Sequence, residues 1–397
     1  MRRQVEFLGL TLFFAVCLAA AFLGGYYTRA WSAAVPQFRW SLPGLPQETE
    51  YTLLSEARSL IEQHFNGTLP PARQLEYGAV RGYVNAIGDP YTVFVEPPAA
   101  EIESDNLQGE YGGVGVEIAR NAAGEITLRP FPDSPAAAAG IQAGDVLLQV
   151  DGTALTAATT TDDAAALIRG LVGTEVALTV RHPDGATETV RLTRRAIAVP
   201  SVTGRMVDGQ PDMGLLTVSR FSEKTPDELR RAAAELEAQG ARRFILDLRN
   251  NGGGLLDSAV KSAGLFLDGG TVMIEAHKDG SEKTYTAPAE AGLLATAPVV
   301  VLVNGGTASA AEILAGALLD RDRASLIGQK TFGKGSVQFV FPLSDGSSLH
   351  VTANRWFTPA RRQLDRQGLP PTIEVQPATD GTDAELARAV DYLNNGR

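Results

Sequence analysis

Two short apolar runs, Phe244-Ile245-Leu246-Asp247-Leu248 and Val299-Val300-Val301-Leu302-Val303, each pass into a glycine loop and then into a helical pattern. A strand that reads as a continuous apolar run is one buried on both faces, as in a parallel or mixed sheet covered by helices. Occurring twice, the pattern commits the region from about 196 to 379 to an α/β core, in which sites gather at strand C-terminal ends. The helices are expected over Leu255 to Phe266 and from near Ala308, with a terminal helix over Asp383 to Leu393.

Upstream the texture differs. From about 105 to 195, short strands alternate with glycine turns: Gly112-Gly113-Val114-Gly115-Val116, a strand Val146 to Val150 closed by Asp151-Gly152, a helix Asp162 to Ile168, and strands Val176–Arg181 and Glu188–Leu192. Residues 49–87 are helical in pattern, with Leu53, Leu54, Ala57, Leu60 and Ile61 at three- and four-residue steps. A second helical run, Leu75 to Ile87, ends at Gly88-Asp89-Pro90.

The chain has 397 residues, which suits two or three domains. A formal net charge of −11, with dispersed Lys and Arg, argues against nucleic acid as a partner. The one cysteine, Cys17, permits no intrachain disulfide and no cysteine-based metal site. Cys17 falls inside Phe7 to Tyr27, an uncharged stretch of 21 residues. As a helix it would run about 30 Å, roughly one hydrocarbon core. Arg2 and Arg3 before it favour a cytoplasmic N-terminus and an exported body. A cleavable signal peptide ending at Ala19-Ala20-Ala21 is the rival, and the run's length favours an uncleaved anchor. Pro36, Pro43 and Pro46 mark residues 29–48 as a linker.

The chemistry centres on Asn304-Gly305-Gly306-Thr307-Ala308-Ser309-Ala310-Ala311-Glu312, between a buried strand and a helix. Such a turn can present a serine nucleophile beside free backbone amides. Ser309-x-x-Glu312 is also a capping-box pattern, so helix capping competes with catalysis. A serine needs a base, and none of the four histidines (His64, His182, His277, His350) sits in a glycine-flanked loop at a strand end. Lys334 does lie between two glycines, in Gly333-Lys334-Gly335-Ser336-Val337-Gln338, and on a strand it would share a face with Ser336 and Gln338. To act as a base, a lysine must fall from a pKa of ~10.4 to around 7–8, which burial and neighbours must impose at about 4 kcal/mol. Gln338 suits an orienting role, since a neutral amide does not raise the lysine pKa as a carboxylate would. In Asp247-Leu248-Arg249-Asn250-Asn251-Gly252-Gly253-Gly254, three glycines expose amides to an anion. A phosphate cradle lacks its motif here. An oxyanion hole from Gly253 or Gly254 with the Ala310 amide fits better.

Taken in order, Gly88–Thr92, Gly112–Val116, Asp247–Gly254, Asn304–Glu312, Gly333–Gln338 and Gly368–Pro371 resemble the carboxyl-terminal processing peptidases, the tail-specific serine peptidases of the S41 family. Residues 105–195 are similar to a PDZ domain. The resemblance implies Ser309 as nucleophile, Lys334 as base and Gln338 as the residue orienting the lysine. It also implies a mixed α/β core of the ClpP/crotonase type carrying an inserted PDZ domain. The implied organisation is a membrane anchor at 1–28, linker at 29–48, N-terminal helical region at 49–104, PDZ domain at 105–195, peptidase core at 196–379 and C-terminal helix at 380–397. Ala311, Thr372 and Gly252 depart from residues common in the family (serine, aspartate and proline).

The expected function is endoproteolysis of exported or membrane-associated proteins near their C-termini, with no metal or organic cofactor. Successive amides of Gly112, Gly113, Val114, Gly115 and Val116 would hold a substrate's terminal carboxylate while the peptide adds as a strand. Val114, Val116, Ile141, Leu167 and Ile168 are expected to line a side-chain pocket, or to serve as ordinary core. Two alternatives stand beside this: a non-catalytic PDZ scaffold, disfavoured by retention of Ser309, Lys334 and Gln338, and a crotonase-like acyl-CoA enzyme, disfavoured by the PDZ insertion and the export segment. Expected partners are protein or peptide substrates with free C-termini and the membrane, with self-association left open.

Overall fold

The computed structural model describes residues 52–289, 292–378 and 381–396. The anchor at 1–28, the linker at 29–48 and Cys17 lie outside them. Among the described residues no helix is long and apolar enough to cross a membrane. The chain divides after Pro71 into two units, inside the 49–104 region expected as one. In the first, the helix Thr52–His64 forms as its periodicity predicts, yet buries no side chain; Leu53, Leu54, Leu60 and Ile61 are all exposed.

The second unit, from Ala72, is built around a six-stranded sheet. Its order is Val202–Met206, Met213–Val218, Arg243–Asp247, Val299–Val303, Ser325–Gly328 and Ile373–Glu374. Only the first pairing is antiparallel; the other four are parallel. The period-2 alternation of a strand explains the two cores. Leu216, Leu246, Val301 and Val303 face the helices Thr225–Ala238, Leu256–Ala263 and Ala310–Asp320, whereas Leu215, Ile245, Val300 and Leu302 face the C-terminal helix Ala384–Asn395. Arg249, at the end of the Arg243–Asp247 strand, pins that helix through Asp383 (2.8 Å) and Glu385 (2.6 Å) and also binds Asp247 (2.7 Å).

A second, antiparallel sheet lies beyond. Its long strand Ser348–Phe357 carries Ser336–Pro342 and Val93–Val95, and also pairs with Thr271–Ala276. The 49–104 region is therefore not wholly helical: Val93–Val95 adds a strand to the core. The helix Pro97–Gln108 follows, ends at the left-handed Gly109, and leads into Glu110–Gly113, which pairs with Arg195–Ala198. These two strands form the neck of the PDZ region. Beyond it, Val116–Arg120, Ile126–Pro130, Asp145–Val150, Glu175–Arg181 and Thr187–Thr193 make a sheet with its own buried core.

Candidate active site

Ser309 occupies the turn between the Val299–Val303 strand and the Ala310–Asp320 helix, with φ 55° and ψ −120°. A helix-capping serine has extended backbone, so this conformation is not that of an ordinary cap. It is a left-handed turn that costs a non-glycine residue on the order of 1–3 kcal/mol and persists only where its surroundings impose it. Those surroundings are two cross-braced loops. Asn304 Oδ1 accepts from the amides of Asn250 (2.9 Å) and Gly306 (3.0 Å). Thr307 donates its hydroxyl to Leu248 O (2.8 Å), and the Ala308 amide donates to Asn251 O (2.9 Å).

Lys334 sits just before the Ser336–Pro342 strand rather than on it. Gly333 explains why. It has φ 89°, and an added Cβ would come within 2.6 Å of Gly368 N, so the chain presses backbone to backbone against the Leu364–Gly368 segment. Lys334 O accepts from Trp356 Nε1 (2.9 Å), which fixes the residue from the other side. Burial pushes the Lys334 ammonium below the ordinary lysine value, while the carboxylates of Glu103 and Glu312 act in the opposite sense. Its Nζ donates to Gln338 Oε1 and lies 5.5 Å from the centre of the Tyr91 ring.

The Gln338 amide is itself oriented: its Nε2 donates to the carbonyl of Tyr91. That places the amide oxygen toward the lysine. The Tyr91 turn is held by Asp89, which accepts from Thr92 Oγ1 (2.6 Å) and the Tyr91 amide (3.3 Å). Burial alone would raise the Asp89 carboxyl, but the nearby Thr352 hydroxyl and the hydrogen bonds from Thr92 and Tyr91 outweigh it and hold it below the usual range.

Glu312 joins the two halves of the site. It is fully buried, and its Oε2 accepts from the backbone amides of both Ser309 and Lys334, each at 2.9 Å. Its Oε1 accepts from Thr331 Oγ1 (2.5 Å) and the Gly333 amide (2.8 Å). The capping-box glutamate of the sequence is thus also the acceptor that fixes the lysine loop.

Of the expected oxyanion donors, Gly253 has its amide committed to Asn251 Oδ1 (2.9 Å). Its contribution is room: a Cβ there would fall 2.8 Å from Ser309 Cβ and 3.0 Å from Ala310 N. The amides of Ala310 and Gly254 donate to no protein acceptor among the described residues.

In the PDZ region, Val114, Val116, Ile141 and Ile168 are buried in the local core, and only Leu167 is substantially exposed. Sheet and helix close over those four. Gly112 is pressed against the Gly170 backbone, where a Cβ would lie 1.9 Å from Gly170 O, and Gly113 packs on the Tyr111 ring. The Val114 and Gly115 amides have no protein acceptor among the described residues. Val116–Arg120 is an edge strand, and the helix Thr161–Ile168 packs beside it.

Comparison with known proteins bears on these features together. The model of peptidase family S41 matches residues 212–375, and a PDZ-domain model matches 129–182. A carboxyl-terminal-processing protease of Picosynechococcus sp. is 37% identical over 345 residues, covering 84% of this chain and 83% of the relative. This chain belongs to peptidase family S41. It is a carboxyl-terminal processing serine peptidase with a PDZ domain, in a mixed α/β fold. The chloroplastic C-terminal processing peptidase of Tetradesmus obliquus is 34% identical over 380 residues, covering 87% of this chain and 81% of the relative. Among solved structures, the photosystem II D1 C-terminal processing protease is 33% identical, with 84% of this chain and 89% of that chain covered and a TM-score of 0.47.

Several residues that build the site in this S41 peptidase escaped sequence reasoning. Tyr91 acts through a backbone carbonyl, which no side-chain pattern reveals. Asn251 and Asn304 sat inside quoted motifs as loop residues, and their bracing role emerges only from the facing loop. Glu103, on the helix Pro97–Gln108, pairs with His350 Nε2 (3.1 Å) and influences Lys334. No group of three or more metal-ligating side chains occurs among the described residues.

Proposed function

We propose that this peptidase cuts exported or membrane-associated proteins internally, near their C-termini, by acyl transfer. Ser309 attacks the scissile carbonyl, and neutral Lys334 takes the hydroxyl proton and returns it to the leaving amine. Gln338 orients the lysine, and the Ala310 amide, with Gly254 beside it, receives the tetrahedral oxyanion. The observation that carries this reading is the turn at Ser309, whose amide shares one oxygen of Glu312 with the amide of a half-buried lysine of lowered pKa. In this conformation the ammonium is turned to Gln338. No hydrogen bond joins Nζ to Ser309 in this conformation, and one is expected to form in the reacting complex, as catalytic hydrogen bonds commonly tighten there.

The PDZ domain would capture the substrate's free C-terminus, with the open Val114 and Gly115 amides on the carboxylate and the Val116–Arg120 edge accepting a strand beside Leu167. The Phe7–Tyr27 run would hold the body at the outer face of the cytoplasmic membrane, or be cleaved to release it. Protease added to intact spheroplasts should digest the body, and complete protection contradicts that topology. For the activity itself, the full chain is incubated with an unfolded protein and the products are mapped by mass spectrometry. Discrete internal cuts toward the C-terminus are expected. Stepwise loss of single residues contradicts the endopeptidase assignment.

A further inference from the structure

Arg220 stands at the end of the Met213–Val218 strand, one residue before Phe221. The Phe221 backbone brackets the glycine loop, donating to Gly253 O and accepting from the Leu255 amide, each at 2.8 Å. This fixes Arg220 beside the loop that touches Ser309. A cavity of about 400 Å³ opens there between the helix Pro97–Gln108 and the loop Gly252–Gly254. Its walls are apolar at Ile102, Leu107 and Phe221, and polar at Asn106, Glu103 and Arg220.

The two charges on that wall differ. Glu103 is paired with His350 Nε2 at 3.1 Å. Arg220 has no carboxylate within ion-pair distance among the described residues. One Nη2 donates to Val199 O (2.7 Å), and its Nε is buried without any acceptor. Burial lowers the pKa of this guanidinium, and Glu228, the carboxylate acting against that trend, is itself committed to the Ser201 amide (2.7 Å), the Ser201 hydroxyl (2.7 Å) and the Val202 amide (3.2 Å). A guanidinium stays charged at any working pH, and a buried donor left unmade is costly. Nε is closed off from solvent, so the atom a ligand can reach is Nη1, which has no protein acceptor among the described residues, and a carboxylate is its best-matched acceptor.

We propose that Arg220 forms a specificity subsite that takes a carboxylate of the substrate next to the scissile bond. The inference rests on the assignment of Ser309 as nucleophile, because only that makes the Gly253 side of the cavity adjacent to the bond cut. Two sources share the chemistry: an Asp or Glu side chain flanking the bond, and the terminal carboxylate of a short leaving segment. Arg220 is a specificity residue here and takes no part in proton transfer.

The test uses the full chain and a matched peptide series with Glu or Gln at each position flanking the cleaved bond, each as free acid and as C-terminal amide. Wild-type enzyme is expected to favour the acid at one position by roughly tenfold or more in kcat/KM, the discrimination of one charge-assisted contact. Arg220→Gln is expected to bring that ratio to about one, and Arg220→Glu to invert it in favour of Gln. A side-chain source keeps the ratio in amidated peptides. A terminal source loses it on amidation, and only while Arg220 is present. Absence of any acid preference in the wild type overturns the proposal without need of a variant. So does an unchanged ratio in Arg220→Gln, or an equal fall for every peptide, which marks Arg220 as a strap for the Val199 segment. Should Arg220→Gln fail to fold, Arg220→Lys keeps the charge but not the fork, and a ratio undiminished in it counts against the subsite. Ser309→Ala run in parallel separates the two claims. Its full activity removes the nucleophile assignment, whereas its inactivity beside an absent acid preference removes the subsite alone.

Discussion

The backbone amides of Ser309 and Lys334 donate to a single oxygen, Oε2 of Glu312, each at 2.9 Å. A shared acceptor makes the position of one loop depend on the other. The Ser309 turn and the Lys334 loop are thereby one structure, although the helix Ala310–Asp320 and the strand Ser325–Gly328 separate them in the chain.

Glu312→Ala should therefore act on fold and activity together. It leaves two amide donors on Oε2 and two further donors on Oε1 without partners in a buried site. Urea unfolding should show a loss of about 2–4 kcal/mol, with turnover falling even where the protein remains folded. Glu312→Gln preserves the shape but turns an NH2 toward amide donors, so it should recover only part of the stability.

The pH dependence should follow Lys334. Its ammonium is held below the ordinary lysine value by burial, so activity should rise with pH and reach its plateau below the range of a free lysine. Glu103 raises this group, so Glu103→Gln should move the ascending limb to lower pH. Gln338→Glu places a carboxylate where Nζ now meets an amide oxygen, so it should move the limb to higher pH. Kinetic pH profiles of the three proteins check the signs. Shifts in the opposite directions contradict Lys334 as the base.

Recognition at the PDZ edge should depend on the charge of the substrate terminus. With the Val114 and Gly115 amides open, amidating a substrate's C-terminus should weaken binding in a titration, since a neutral amide is a poorer acceptor. Equal affinity for acid and amide counts against docking there.

How much could be read from the chain alone follows from which forces act locally. Phe244–Leu248 and Val299–Val303 announced the central sheet because strands buried on both faces carry no polar alternation. Lys334 read as a strand residue, whereas the strand begins at Ser336. The displacement comes from backbone packing of Gly333 on Gly368, a contact without any side-chain signature. The bond from Gln338 to the Tyr91 carbonyl spans 247 residues, and only the Val93–Val95 pairing with Ser348–Phe357 brings its ends together. Arg220 carries no sequence signal, because the cavity it shares with the helix Pro97–Gln108 is a tertiary feature.

Substitution of Ser309 tests the central claim most directly, because it separates the nucleophile from the helix cap. Were Ser309 only a cap, Ser309→Ala would cost roughly 1 kcal/mol of stability and leave cleavage intact. As the nucleophile, the same change should abolish turnover of an unfolded protein substrate while the fold, followed by circular dichroism, survives. Lys334→Ala should do likewise, and Lys334→Arg should not restore activity, since a guanidinium cannot give up its proton in this range. A folded Ser309→Ala protein that cleaves at the wild-type rate contradicts the account.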